Sequence, residues 1–203
     1  SSFGWKFVIN PDEEIGSPSS EGALTELAQR ADYALVFEPA FPDGAFVSQR
    51  AGSINLVIIA KGISAHAGRD FVKGRSALFA LAALVADIQL LPHHPSITFN
   101  AGTFHSGHAY NIVPDLAVCK INIRADTENL LLQAHDMLMQ LVQKHSSRDG
   151  ITIKLHDISK RLPMESTSKK LLHILSECST LLDITLQTRL SRGVSDANIF
   201  AHT

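Results

Sequence analysis

The stretch "AFVSQRAGSINLVIIAKG" (residues 45–62) reads as two strands in succession, the second apolar almost without interruption. The elements after it decide the kind of sheet. Residues 75–91 predict a long helix, with Leu78, Leu81, Ala82, Val85 and Ile88 spaced along one face. "SITFNAGTFHSG" (96–107) and "AVCKINIRA" (117–125) alternate like half-buried strands. A second helix, about 127–145, carries Leu130, Leu131, Ala134, Leu138 and Leu141 on one face, and "GITIKLHDI" (150–158) is again a strand. The order from 53 to 158 is β-α-β-β-α-β, the split βαβ sandwich of a four-stranded sheet with two helices on one face.

Outward from this module the style changes. "WKFVIN" (5–10) reads as a buried strand ended by Asn10-Pro11. "SSEGALTELAQRA" (19–31) reads as a helix with Ser19 or Ser20 as N-cap, and "YALVFEP" (33–39) as another strand closed by Pro39. That β-α-β run predicts a parallel sheet with helices packed on it. Beyond "RLPMES" (161–166), a helix over 166–182, a strand "ITLQTRL" (184–190) and a helix start at Ser195 return to the same style. The expected organisation is one α/β domain, residues 1–50 and 161–203, interrupted by a module at 51–160.

Composition excludes several function classes. The 203 residues are 45% hydrophobic and 19% charged, ordinary for a soluble globular chain long enough to bury a real core. A net charge of −2 with no Lys/Arg run argues against a nucleic-acid partner. The longest apolar stretch, 77–91, is too short to span a bilayer and carries Asp87. Cys119 and Cys178 form no metal or redox motif and are expected to be reduced core residues. No signal peptide opens the chain, and the cytoplasm is the expected compartment.

The chemistry sits in "VINPDEEIGS" (8–17), where Asp12, Glu13 and Glu14 stand in a row after an apolar run. In α/β sheets ligands bind beyond the carboxyl ends of strands. Asp12-Glu13-Glu14 comes after one predicted strand and Glu38 ends another, so four carboxylates are expected to converge on one sheet edge. Crowded carboxylates are most simply compensated by a cation, and a carboxylate beside a bound water is a general base. The triplet is also compatible with a solvated loop or an acidic first helical turn.

These residues resemble the dinuclear-zinc metallopeptidases related to bacterial glutamate carboxypeptidase, a family that includes acetylornithine deacetylases, succinyl-diaminopimelate desuccinylases and aminoacylases. "NPDEEIGS" and "VFEP" match its acidic motifs, "KGISAHAG" (61–68) and "SGHAYNIVPDLAVCKINIR" (106–124) its inserted lid, and "SDAN" (195–198) a late turn. The resemblance implies an α/β zinc-peptidase catalytic domain interrupted by a ferredoxin-like (βαββαβ) lid or dimerisation domain. It implies that Glu13 is the catalytic base and that Glu14 and Glu38 are metal ligands. His66 would polarise the scissile carbonyl, in several relatives across a dimer interface, while Asn111 and Arg124 would bind the substrate carboxylate, with Arg161 assisting from the hinge. Read without the family, His66 is a solvated loop histidine, Asn111 a turn residue and Arg124 a strand surface residue.

The implied cofactor is zinc, two per subunit, with cobalt or manganese as alternatives; bound zinc lowers the pKa of its water to roughly 7. The implied substrate is an N-acyl amino acid or small peptide, and the implied partner a second copy of the chain through the lid. The family's His-x-Asp motif, its bridging Asp and its last His have no counterpart here, and His202 stands too near "SDAN" to replace the last. The chain therefore reads as an internal piece of a longer enzyme, expected to bind no zinc and to be inactive by itself. A non-catalytic dimerisation or binding module is the competing reading.

Overall fold

The computed structural model describes residues 4–39, 41–147 and 149–203, and the chain divides into two compact units, Ser1–Arg50 with Met164–Thr203, and Ala51–Pro163. Strands are β1 (Phe46–Arg50), β2 (Gly52–Lys61), β3 (Ile97–Ser106), β4 (Leu116–Ala125), β5 (Thr152–Arg161) and β6 (Thr188–Ser191). Helices are α1 (Glu21–Ala28), α2 (Ala77–Ile88), α3 (Glu128–His145), α4 (Lys169–Leu181) and α5 (Ala197–Phe200).

The unit Ala51–Pro163 is the split βαβ sandwich. Its sheet has the order β3-β4-β2-β5, with every neighbouring pair antiparallel. Alternate residues of β2 (Ile54, Leu56, Ile58, Ala60) and β4 (Cys119, Ile121, Ile123) point to one face, where α2 and α3 cover them. Each fully buried Leu or Ile contributes about 1.5–3 kcal/mol of transfer free energy, so this layer accounts for most of the unit's driving force. Ser76 caps α2 by accepting from the Phe79 amide, and Thr127 caps α3 by accepting from Leu130.

The buried face of α2 differs from the expected stripe. Ala77, Ala80, Leu81, Leu84 and Ile88 face the sheet, while Ala82 is exposed. Nearly every position of α2 is apolar, so periodicity could not choose a face. Packing chose it, with the small Ala77 and Ala80 turned toward the sheet. Phe79 (69% exposed) remains on the outer flank, and Leu90 (80%) is open in the turn just after the helix.

The other unit departs further from expectation. Neither 5–10 nor 33–39 forms a strand, and their apolar side chains are open: Phe7 is 91% exposed and Phe37 92%. A strand exists only through a ladder partner, and neither run enters one. The expected parallel sheet of those two runs is replaced by a parallel pair of β1 with β6, Phe46 opposite Thr188 and Arg50 opposite Ser191. The last strand begins at Thr188, later than the apolar pattern from 184 suggests. Ser20 is the N-cap of α1, but its hydroxyl is committed to the Asp12 carboxylate and not to a helix amide. Cys119 is buried, which pushes its thiol pKa up, whereas Cys178 is exposed, against the expectation of two core cysteines.

No helix among the described residues is long and apolar enough to cross a membrane.

Candidate functional site

The acidic stretch folds into a tight turn rather than a strand end. Asn10 Oδ1 accepts from the Asp12 amide (3.0 Å), and the Asp12 carboxylate accepts from Ser20 Oγ (2.5 Å) and the Ser19 amide (2.8 Å). Those bonds, the Ser20 hydroxyl first, hold the Asp12 carboxyl below its ordinary value. Asp12 is thus turned into its own loop. Glu13–Ile15 is a single 3₁₀ turn, closed by Gly16 at φ 94°, whose amide reaches Glu13 O at 2.8 Å.

The turn is fixed from the far end of the chain. Ser17 is fully buried, and its hydroxyl donates to Asp196 Oδ1 at 2.6 Å. Asn10 Nδ2 donates to Asp196 Oδ2 at 2.6 Å and to Ser17 Oγ at 2.8 Å. Asp196 is only 7% exposed, and its own turn is closed by the Ser195 amide donating to Asn198 Oδ1 at 3.0 Å. A buried carboxylate is tolerated when hydrogen bonds replace its water, as they do here. The "NPDEEIGS" and "SDAN" motifs are therefore one buried knot.

The four acids do not form a cluster. Glu13 and Glu38 are half-buried and Glu14 is exposed, and no group of three or more His, Cys, Asp or Glu among the described residues could hold a metal. The expected convergence fails because the two runs that were to carry the acids form no sheet. Arg50 is a cation whose charge interacts with Glu38 and Glu13. It is buried and donates to Gly193 O at 3.0 Å; burial lowers its pKa, and the charges of Glu38 and then Glu13 oppose that shift. Zinc takes four ligands, most often with nitrogen or sulfur among them. Glu14 and Glu38 offer two carboxylates and no nitrogen or sulfur, so the described residues alone do not complete a zinc site.

Asp12 has a pH consequence. Its folded pKa is depressed, so its stabilisation is full well above the unfolded value of 3.8 and is lost as pH falls through the lower folded value. Asp12→Asn should therefore destabilise the chain at neutral pH and bring it level with the wild type at strongly acidic pH, as read by urea midpoints across that range.

In the unit Ala51–Pro163 the remaining candidates fall into two groups. The loop after β2 leaves by Gly62, where a Cβ would lie 2.0 Å from Arg75 O, so only glycine fits. The loop is then stitched to the β3–β4 connection: Ala67 N donates to Asn111 O and Val113 N to Ala65 O, each at 2.9 Å, and His66 bridges Ile112. His66 and Asn111 thus lie side by side. His66 Nδ1 accepts from the amides of Gly68 (3.1 Å) and Arg69 (3.3 Å), so the neutral ring carries its proton on Nε2.

Arg124 and Arg161 lie at the other end of the strands. They flank Ser53 in one cross-strand row, on β4 and β5 either side of β2. Arg124 Nε donates to Asn122 Oδ1 at 2.9 Å, and Asn122 in turn donates to Ser53 and Asn55, both at 2.8 Å, which fixes the guanidinium plane. Leu116, at the Asn111 end of β4, is eight residues from Arg124, or about 26 Å at strand rise. Asn111 belongs to the loop at the Leu116 end of β4, and Arg124 to the opposite end of that strand.

Sequence reasoning missed Arg50 and the roles of Asn10, Ser17 and Asp196. Arg50 had a weak signal, a long cation beside the small pair Ala51-Gly52 where two strand patterns meet. The knot's members lie in the two motifs "NPDEEIGS" and "SDAN", but nothing in the sequence joins those motifs, up to 186 residues apart.

Comparison with known proteins bears on these motifs. Residues 48–150, half of the chain, match the M20 family described as peptidase dimerisation domain. The chain is 24% identical over 214 aligned residues to a succinyl-diaminopimelate desuccinylase of Acinetobacter baylyi, covering 97% of this chain and 55% of that protein. It is 26% identical over 160 residues to an indole-3-acetyl-aspartic acid hydrolase of Enterobacter agglomerans, covering 74% of this chain and 36% of that one. The chain thus spans about half or less of the length of these relatives. Its fold is similar to an aminopeptidase PepT of Bacillus cereus, with a TM-score of 0.74 at 20% identity over 90% of this chain and 51% of that one. With half its length matched to that domain, this chain belongs to the M20 peptidase family.

Proposed function

We propose that the full-length protein is a metal-dependent hydrolase of amide bonds in N-acyl amino acids or small peptides. The observation that carries the reading is the locked acidic turn, which holds half-buried Glu13 in place through the buried Ser17–Asp196 knot. Glu13 takes the proton of the attacking water. The buried cation of Arg50 interacts electrostatically with Glu13. His66 Nε2–H donates to the carbonyl oxygen as charge develops there. Arg124 and Arg161 receive the substrate carboxylate. Zinc is the metal we assign, with Glu14 and Glu38 as two of its ligands and the others supplied by the full-length protein. The names of the two relatives, a desuccinylase and a hydrolase of an aspartic acid conjugate, support an acidic N-acyl substrate.

The placement of the two candidate groups at opposite ends of β4 favours a homodimer in which one copy's His66 and Asn111 complete the other's site. The surface for it is the outer flank of α2 and the turn just after it, where Phe79 and Leu90 are open, next to the unpaired edge of β3. Sedimentation is expected to give about twice 22.1 kDa for the chain and a single copy for Phe79→Glu. A wild-type monomer at micromolar concentration would overturn the dimer.

Assay of the full-length protein with zinc on an N-acyl amino acid panel tests the activity, and turnover is expected. The 203-residue chain alone should show none, since its described residues hold no metal-capable cluster. That second expectation is also where the module reading applies, with the chain serving as a dimerisation and binding unit. Zinc-dependent turnover by the chain alone would remove it.

A further inference from the structure

The sheet of the unit Ala51–Pro163 has one face under α2 and α3 and a second face that no helix of that unit covers. The residues of that second face are given by the register. Ser53, Asn55, Val57, Ile59 and Lys61 of β2 stand opposite Arg124, Asn122, Lys120, Val118 and Leu116 of β4. After a bulge on β5, Arg161, Ser159, His156, Lys154 and Thr152 complete the rows on the other side.

The charge on this face has one sign. Lys61, Lys120, Arg124, Lys154 and Arg161 all lie on it, with His105 and His156, and their rows contain no Asp or Glu. The one acid in the four strands, Asp157, is opposite Leu56 on the helix-covered side and bonds His135 of α3 at 3.0 Å. Composition does not explain the asymmetry, since the chain carries 20 acids against 18 Lys and Arg. Five cations gathered on one sheet face raise the local potential and draw anions.

The cations are also ordered. The row Thr98–Arg124–Ser53–Arg161 is succeeded by a row of amides and hydroxyls, Asn100–Asn122–Asn55–Ser159, of which Asn122, Asn55 and Ser159 are already linked by side-chain hydrogen bonds. The next row brings Lys120 and His156. Arg124 and Arg161, two strands apart, are about 10 Å from each other, and Lys120 is about 13 Å from Arg124 along β4. Two cationic rows thus border a row of hydrogen-bonding amides.

We infer that this face recognises an acidic peptide-like ligand with two or more carboxylates, its acids on the two cationic rows and its amide groups over the Asn/Ser row between. This rests on the assignment of Arg124 and Arg161 to one substrate carboxylate and extends it to a second, held by Lys120. A ligand of that class fits because each part of it meets a complementary row, whereas a compact anion engages one row only.

Titration calorimetry on the 203-residue chain at low ionic strength tests this, with acetyl-Glu-Glu, acetyl-Gln-Gln and inorganic triphosphate as probes. Acetyl-Glu-Glu should bind at least about tenfold more tightly than acetyl-Gln-Gln, the gap expected of added charge pairs at a partly desolvated surface. Lys120→Gln, an exposed position, should close most of that gap. Equal affinity for the two peptides, or a gap that survives Lys120→Gln, overturns the inference. Triphosphate binding as tightly as acetyl-Glu-Glu also overturns it, because the face would then attract anions without reading a peptide. Arg124→Gln reports separately on the underlying assignment. If acetyl-Gln-Gln affinity is indifferent to it, that assignment falls, and the second-carboxylate claim is judged on the Lys120 effect alone.

Discussion

Glu13→Gln in the full-length protein is expected to lower kcat by roughly 100- to 10,000-fold, with metal content retained and KM little changed. The amide keeps the shape and hydrogen-bonding reach of the carboxylate but cannot take a proton at neutral pH. Because Glu13 is held by a 3₁₀ turn whose closure depends on Gly16 and Ser17, the substitution should leave the local backbone where it is. Glu14→Gln should behave differently, lowering metal occupancy along with activity, since an amide oxygen is a weaker ligand than a carboxylate. Metal analysis beside steady-state kinetics separates the two. Loss of metal from the Glu13 variant with retention by the Glu14 variant would reverse the assigned roles.

The second large effect is expected at Asp196. Asp196→Ala removes the acceptor of the buried Ser17 hydroxyl and one of the two acceptors of half-buried Asn10 Nδ2, which keeps Ser17 Oγ. At about 1–3 kcal/mol for the orphaned hydroxyl, together with the charge-assisted bond lost from Asn10, the loss should reach roughly 3 kcal/mol in the unit that contains the acidic turn. Amide exchange across residues 13–24 and 195–201 should accelerate by about 100-fold, while the β2 and β4 amides keep their rates. Asp196→Asn should lie between, since one carboxylate oxygen becomes a donor facing donors. Uniform acceleration through both units would mean that Asp196 stabilises the whole chain instead of the turn.

In the Asp196 variant the two acids with proposed roles in the turn, Glu13 and Glu14, are intact, yet activity of the full-length protein should fall as well. A base contributes only when it is held within hydrogen-bond reach of its proton, and the turn that holds Glu13 is anchored by that distant carboxylate.

The sequence by itself determined the split βαβ sandwich. Its strands are apolar runs whose partners lie within about a hundred residues, and each run can satisfy its face inside the same unit. The caps at Ser76 and Thr127, the glycine exit at Gly62 and the placement of His66 and Asn111 in loops arise from local chemistry of the same kind. The features that the sequence misjudged depend on partners. The runs at 5–10 and 33–39 have strand composition, but a ladder needs a neighbour and neither run has one among the described residues. α2 is apolar on all sides, so only packing could choose which face it buries. The knot of Asn10, Ser17 and Asp196, the burial of Arg50 near Glu38 and Glu13, and the one-signed open sheet face were decided by tertiary structure alone. Periodicity reports where apolar groups leave water; it carries no record of which distant polar groups will satisfy one another once they are buried.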